Sequence, residues 1–324
     1  MPPATTPLAF GPGRRWEGRP ESEDLPFASN PYPSRKEETV RTRALFVALL
    51  VAVPVLGATS SVASPAAKPP QRIVSLSPTA TETLFAIGAG KQVIAVDDQS
   101  DYPKNAPRTK LSGFTPNVEA IAGYRPDLVV VSYDPKNFVA SLRKLNISVL
   151  LEDAPKTLDG TYAQIKELGS ATGHAAEASR LVAGMKKRIA SLVASVPKPS
   201  QPVSVYHELS PDYYSVTSST FIGRIYSLFG LRNIADAADS AGLGYPQLSG
   251  EYILESNPGL IVLSDSVCCG QSISSVAARP GWNHLDAVKR RFVARIDDSI
   301  ASRWGPRVVN FVRAVASALR TIGT

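Results

Sequence analysis

Two stretches of this sequence decide its fold. Residues 117–132 read NVEAIAGYRPDLVVVS, and residues 249–264 read SGEYILESNPGLIVLS. When the stretches are aligned without gaps, Glu119 falls on Glu251, and an isoleucine, a proline, a leucine and a serine coincide in the same way. Each stretch predicts a short helix, a turn that contains proline, and then a buried strand. The recurrence predicts a chain built from two related halves.

Outside these stretches, short β-branched runs alternate with segments of helical spacing. This alternation is typical of βαβ units, in which helices cover a largely parallel sheet. The predicted strands are residues 72–77, 93–98, 128–133 and 148–153 in the first half and 203–208, 213–217, 260–265 and 292–297 in the second. In the second half, helices are predicted at residues 221–229, 251–256 and 306–322.

Residues 174–197 connect the two halves. Apolar side chains recur there at helical spacing from Ala178 to Val196, and no proline occurs before Pro197. This pattern predicts one long helix, which resists bending and should permit only a small closure of the two halves. The predicted fold class is therefore α/β, with two Rossmann-like lobes (72–173 and 198–324) joined by a single long α-helix and a ligand cleft between them.

Residues 1–63 resemble a leader rather than a folded unit. Residues 1–39 are rich in proline, glycine and charge, which predicts disorder. Arg41 and Arg43 then precede an apolar run at 44–58, which is too short to cross a bilayer easily and is followed by small residues. We expect a signal peptide that is cleaved after Ala63, with no lipoprotein anchor because no cysteine follows the run. The predicted location is periplasmic or extracellular.

Composition excludes some functions and leaves one question open. The 324 residues are 44% hydrophobic and 19% charged, with a net charge of +7 that is spread along the chain. Such a diffuse excess favours an ordinary basic surface over nucleic-acid binding. Cys268 and Cys269 are the only cysteines. As neighbours they cannot connect distant segments, so they are either two thiols in a loop or a vicinal disulfide.

Ligands of two-lobed α/β proteins bind at the carboxyl ends of strands and at helix N-termini. Side chains at these positions are rich in aromatic rings and carry few charges, which suits a large flat ligand with amide edges. The predicted ligand-binding residues are Ser77, Gln99, Tyr102, Phe114, Tyr133, His207, Glu208, Tyr213, Tyr214, Tyr245, Arg303 and Trp304. Tyrosines at strand ends also serve as ordinary boundary residues between core and solvent. Arg303 is expected to pair with a negative group of the ligand.

Residues 72–320 resemble the helix-linked class of periplasmic binding proteins, which carry cobalamin, ferric siderophores or haem. The segments RIVSLSPTATETLFAIG, SDYP and YPQLSGEYIL are similar to those of the cobalamin-binding branch. The resemblance implies a substrate-binding protein without catalytic activity, which delivers its ligand to a membrane permease dimer driven by ATPases. It favours a corrinoid, with a ferric siderophore or haem as the alternative ligand, and we expect a monomer.

The resemblance also assigns roles to particular residues. Glu119 and Glu251 match the two surface glutamates that pair with permease arginines in the family, although each could simply favour the positive end of a helix. Tyr245 matches the aromatic residue before Pro-Gln in the cobalamin proteins. Gln99 stands where that branch has an aromatic residue, and Gly113 lies near another such position.

Other classes of function find little support in the sequence. The three histidines show no metal-ligand spacing, so no metal site and no cofactor are predicted. Nucleotide-binding and nucleophile-elbow motifs are absent from the sequence. Two alternatives remain: haem held by a tyrosine or by His207, and a secreted α/β enzyme that uses His207 and Glu208.

Overall fold

The structure, a computed structural model, describes residues 68–198 and 201–322. The predicted leader, signal peptide and cleavage site therefore lie outside the described residues. Two four-stranded sheets, with the orders β2-β1-β3-β4 and β6-β5-β7-β8, form the centres of two α/β lobes. Their strands are β1 Ile73–Leu76, β2 Val93–Val96, β3 Leu128–Val131, β4 Ser148–Leu151, β5 Ser204–Glu208, β6 Arg232–Asn233, β7 Leu260–Leu263 and β8 Val293–Arg295.

Eleven α-helices lie within the described residues. They are α1 Pro78–Ala86, α2 Val118–Gly123, α3 Phe138–Lys144, α4 Leu158–Thr172, α5 Ala175–Ala194, α6 Phe221–Ser227, α7 Gly250–Ser256, α8 Ile273–Ala277, α9 Asp286–Lys289, α10 Asp298–Ser302 and α11 Val308–Ile322. None of these helices has the length and apolar character needed to cross a membrane.

The internal repeat of the sequence is a repeat of the fold. In the first sheet, Ile73 of β1 pairs with Leu128 of β3. In the second, Val205 of β5 pairs with Leu260 of β7. The offset in residue number that aligns the two repeated stretches also converts the first pair into the second. The central strand pairs of the two sheets therefore correspond residue by residue. All strand pairs of the two sheets are parallel, as the alternating pattern predicted.

The prediction of a regular strand at residues 213–217 is wrong. Its backbone makes one isolated antiparallel bridge, between Tyr214 and Gln247. Tyr213 has a φ of 67°, outside the extended region, and Pro246 on the opposite segment has no N–H to donate. Hydrogen bonds from Ser215 N to Pro246 O and from Thr217 N to Gly244 O still hold the two segments together.

Helix α5 connects the two sheets along the chain, as predicted. One apolar stripe of this helix, including Val182, Met185 and Ile189, is buried. The same hydrophobic core contains Ile73 of β1 and Phe311 of α11. Because this core reaches from the first sheet through α5 to the C-terminal helix, the two lobes share apolar contacts as well as a connection.

Candidate functional site

Three aromatic side chains of the first lobe are exposed at the carboxyl edge of its sheet. Tyr102 and Phe114 lie in the long connection that follows β2, and Tyr133 follows β3. Their side chains are 45%, 73% and 54% exposed. Phe114 and Tyr133 are available for stacking at the edge where parallel sheets bind ligands, whereas the guanidinium of Arg307 lies over one face of the Tyr102 ring, 4.4 Å from its centroid.

The second lobe presents two further exposed rings, Tyr214 and Tyr245. Tyr214 pairs with Gln247 across the isolated antiparallel bridge, and Tyr245 lies two residues before Gln247 on the same segment. Tyr213 is turned the other way and stacks on buried Trp282, with ring centroids 5.5 Å apart. Tyr214 and Tyr245 are thus available to a ligand, whereas Tyr213 supports the wall behind them.

His207 is not a ligand contact, which corrects the prediction. Its side chain is fully buried, and its Nδ1 lies 2.6 Å from the hydroxyl of Tyr226. The ring also packs edge-on against Phe311 of α11. Burial lowers the pKa of His207 to about 3, so the imidazole stays neutral. Because the ring is sealed in the core, it can reach neither a haem nor the substrate of a secreted enzyme.

Glu208 is also fully buried, and its charge is used inside the lobe. Arg279 donates two hydrogen bonds to its carboxylate, of 2.6 Å and 2.7 Å, and the hydroxyl of Tyr206 donates a third. The guanidinium carbon of Arg279 lies 4.6 Å from the ring centroid of Trp282 and 5.2 Å from that of Tyr213. The predicted contact between Glu208 and ligand is therefore corrected: Glu208 anchors Arg279, which in turn supports the aromatic wall.

Asp265 follows β7 and is buried beside this ion pair. Neither of its carboxyl oxygens has a hydrogen-bond partner among the described residues. Burial raises the pKa of Asp265 to about 7, and the negative charge of Glu208 acts in the same direction. Near neutral pH this carboxyl is thus partly protonated, so the cluster of Glu208, Asp265 and Arg279 carries less than one full negative charge.

Arg303 does not point to a free binding position either. It donates to Glu82 at 2.9 Å and to Asp101 at 2.7 Å, both in the first lobe. Arg307 donates to the same Glu82 carboxylate through Nε at 2.8 Å and through Nη2 at 2.5 Å. We name Glu82, Asp101, Arg303 and Arg307 the interlobe cluster. The predicted pairing of Arg303 with a ligand charge is corrected to a pairing between the lobes.

Trp304 lies between these two arginines in the sequence and is only partly buried. It lines a cavity of about 10 Å³ together with Ser77, Glu152 and Thr161. That space holds about one water molecule, so it is not a ligand site. The two carboxyl oxygens of Glu152 have no partner among the described residues, and burial raises the pKa of Glu152 to about 8.

Two other predicted contacts have local roles at the same edge. Ser77 is buried and caps α1, with its hydroxyl accepting from Ala80 N at 3.2 Å. Gln99 is exposed, and its backbone carbonyl accepts a 3.0 Å hydrogen bond from Arg303. At nearby Gly113, an added Cβ would lie 2.5 Å from the carbonyl oxygen of Leu76, so no side chain fits there without a backbone shift.

The two candidate docking glutamates occupy equivalent places. Glu119 lies in the first turn of α2 after the cap Asn117, and Glu251 lies in the first turn of α7 after the cap Ser249. Both side chains are exposed, and neither forms an ion pair within residues 68–198 and 201–322. The structure leaves both charges free to interact with a partner.

Sequence reasoning missed the residues that hold this edge together, namely Glu82, Asp101, Arg279 and Arg307. Their partners lie up to 225 positions away, so no local pattern could pair them. The signal that was available was chemical: Glu82 sits in an otherwise apolar and hydroxyl-rich helix, where a lone carboxylate needs a basic partner. Among the described residues, no three His, Cys, Asp or Glu side chains are grouped so that they could hold a metal ion.

Known proteins share both the sequence pattern and the fold. Residues 73–300 match the family described as periplasmic binding protein. An ABC transporter substrate-binding lipoprotein of Bacillus subtilis is 31% identical over 262 residues, which cover 78% of this chain and 81% of that protein. A cobalamin-binding protein of Halobacterium salinarum is 31% identical over 257 residues, covering 77% and 69% of the two chains.

Solved structures show the same fold. The periplasmic vitamin B12 binding protein of Vibrio cholerae is 27% identical and superposes with a TM-score of 0.66 over 80% of this chain and all of that one. A structure from Staphylococcus epidermidis, described as a possible iron-binding protein, is 26% identical with a TM-score of 0.67 over 78% of this chain and 99% of that one. This chain belongs to the periplasmic binding protein family, as a substrate-binding protein of an ABC importer.

Proposed function

We propose that this protein binds a corrinoid outside the cytoplasm and delivers it to a permease dimer driven by ATPases. The observation that carries the proposal is the set of exposed rings at the carboxyl edges of both sheets: Tyr102, Phe114, Tyr133, Tyr214 and Tyr245. A corrin ring is broad, flat and edged with amides, so it gains from stacking and from neutral hydrogen bonds.

The electrostatics of the site favour a ligand with little charge at its centre. The largely buried charged groups at this edge already pair with each other: Glu208 with Arg279, and Glu82 with Arg303 and Arg307. A strongly anionic ferric chelate would require free cationic side chains in the cleft. Two of the relatives are named for cobalamin or vitamin B12, which supports the same assignment.

Fluorescence titration tests the proposal directly. Half-buried Trp304 lies at the joint between the lobes, where ligand binding should quench its emission. The chain beginning at residue 64 is titrated with cobalamin, with a ferric hydroxamate siderophore and with haem. We expect saturable quenching by cobalamin at or below micromolar concentration and at one ligand per chain. Tight binding of the siderophore or of haem, without binding of cobalamin, would instead support the alternative ligand.

Variants locate the site. Tyr245→Ala should weaken cobalamin binding about two- to tenfold, because each ring stacked on a ligand contributes roughly 0.5–1.5 kcal/mol beyond its area. Leu145→Ala is the matched control, since Leu145 is equally exposed but precedes the amino end of β4, on the opposite edge of the sheet. Equal affinities of both variants for cobalamin would remove Tyr245 from the site.

Export and docking complete the proposal. We infer that residues 1–63 direct secretion, so N-terminal sequencing of the exported protein should begin at Ser64. We infer further that Glu119 and Glu251 pair with arginines of the permease. Their equivalent positions on the two lobes suit a partner with two-fold symmetry.

A further inference from the structure

The two cysteines form a vicinal disulfide, Cys268–Cys269, in the loop between β7 and α8. Of the two forms that the sequence left open, the structure contains the disulfide. Residues 267–270 are all exposed, and Val267 before the disulfide is 67% exposed. The tip of the loop is thus a small surface of sulfur and methyl groups without any charge; we name residues 267–269 the sulfur tip.

The base of this loop is firmly attached. Cys269 N donates to Asp265 O at 3.1 Å, and the Ser266 hydroxyl donates to Ile296 O. Gln271 Oε1 accepts from Arg279 Nη2 at 2.8 Å, which joins the loop to the Glu208 ion pair. A loop held at both ends and closed by a covalent ring at its tip loses little conformational entropy when it contacts a ligand.

The internal repeat places this loop at the carboxyl edge of the second sheet, where ligands of α/β proteins bind. In the alignment that puts Glu119 on Glu251, Asp265 corresponds to Tyr133, and β7 corresponds to β3 as the third strand of its sheet. The first lobe presents the exposed ring of Tyr133 directly after β3, and the sulfur tip, which aligns with residues 135–137, begins two positions further along the second lobe. Both follow the carboxyl ends of parallel strands, where α/β proteins bind ligands.

The oxidation state decides what sulfur can do there. A thiolate ligates metals such as the cobalt of a corrin or the iron of haem, whereas a disulfide sulfur has no proton to lose and offers a polarisable, apolar contact instead. The disulfide therefore makes this position a contact surface for a conjugated ring and prevents it from capturing the metal.

The geometry points to the sulfur tip as a specificity element: Val267 and the Cys268–Cys269 disulfide contact a face of the flat tetrapyrrole-type ring opposite Tyr133. This inference rests on the proposed function. It adds that the second lobe offers the ligand an apolar surface that contains sulfur. A ring that is both conjugated and apolar gains from this contact, whereas a small or strongly hydrated ligand does not.

The test compares the native protein with the double variant Cys268→Ser, Cys269→Ser. Thiol labelling of the native protein, followed by mass measurement, should add no label before reduction and two labels after it. Cobalamin and haem are then titrated separately, which distinguishes the two sources of a tetrapyrrole-type ring. For the ligand that the native protein binds, we expect affinity to fall five- to tenfold in the double variant and two- to threefold in Val267→Ala. Leu145→Ala should bind as the native protein does.

The outcomes separate this inference from the proposed function. If the native protein binds neither ring, the proposed function fails. If it binds one ring and the double variant binds that ring within twofold of the native affinity, the sulfur tip is not a contact surface. Thermal unfolding of each variant within about 2 °C of the native protein establishes that a change in affinity is not a loss of folding. If the double variant unfolds earlier, Val267→Ala decides, and undiminished affinity in that variant overturns the inference.

Discussion

The interlobe cluster allows a quantitative prediction for Glu82→Gln, a change that removes one charge and preserves the shape of the side chain. The Glu82 side chain is 1% exposed and accepts hydrogen bonds from Arg303 and from two nitrogens of Arg307. The side chains of these arginines are only 14% and 17% exposed. The variant therefore leaves two largely buried guanidinium groups facing a neutral amide.

The expected loss of stability follows from this burial. Breaking a buried ion pair by removing one partner costs about 3–5 kcal/mol. The glutamine oxygen still accepts one hydrogen bond, and Asp101 still pairs with Arg303, so we expect the lower end, about 3 kcal/mol. In a protein of this size 1 kcal/mol corresponds to roughly 2–4 °C, so the melting temperature should fall by about 6–12 °C.

The matched control is Glu177→Gln. Glu177 pairs with Arg180 at 2.7 Å, but the two side chains are 42% and 70% exposed. Exposed pairs of this kind contribute little to stability because solvent screens them, so the melting temperature of this variant should stay within about 2 °C of the native value. Both variants are measured by differential scanning calorimetry at pH 7 and at two salt concentrations. An unchanged melting temperature in Glu82→Gln, or equal losses in both variants, would refute the reasoning.

Three further predictions concern pH, delivery and the core. The pKa of Glu152 in the folded protein, about 8, lies above its ordinary value of 4.5, so the free energy of unfolding should fall as pH rises from about 4.5 to 8. Urea unfolding at pH 5, 7 and 8.5 measures this fall, which Glu152→Gln should reduce and Glu119→Gln should not. Reversing both Glu119 and Glu251 to lysine should leave ligand affinity within twofold and abolish uptake by cells; undiminished uptake excludes docking through these charges. His207→Ala should cost about 2–4 kcal/mol in urea unfolding and leave ligand affinity unchanged, and a tenfold loss of affinity without destabilisation would return His207 to the site.

The sequence predicted the elements of this fold better than their contacts. Apolar β-branched runs mark the buried parallel strands because both faces of such sheets are covered. A glycine just past a helical pattern is typical of a helix end, and Gly88 after α1 has the left-handed conformation that such an end requires, with a φ of 93°. The long stripe from Ala178 onwards indicated α5 in the same way, because helical periodicity is a local property.

Side-chain roles at strand ends could not be predicted in this way. A residue at the end of a strand, such as His207 or Glu208, faces either the cleft or the core, and helices elsewhere in the chain decide which. For His207 the deciding neighbours are Tyr226 and Phe311, and for Glu208 the deciding neighbour is Arg279. Such pairings require the tertiary structure, since periodicity reports only which residues share a face.

The repeat also indicates where the two lobes differ for function. The central strands and the helices that carry the candidate docking glutamates keep one constant spacing between the lobes. The connections at the carboxyl ends do not. Helix α1 begins directly after the cap Ser77, whereas residues 209–220, which carry Tyr213 and Tyr214, separate β5 from α6.

This distribution matches two different demands on one protein. A permease dimer presents the same surface twice, so the residues that meet it must be related by the repeat. The corrinoid that we propose as the ligand has no such symmetry, because its two faces carry different groups, so the loops proposed to contact it are free to diverge. Symmetric spacing at Glu119 and Glu251, combined with unlike loops around Tyr133 and the sulfur tip, is the arrangement expected of a carrier whose partner is symmetric and whose ligand is not.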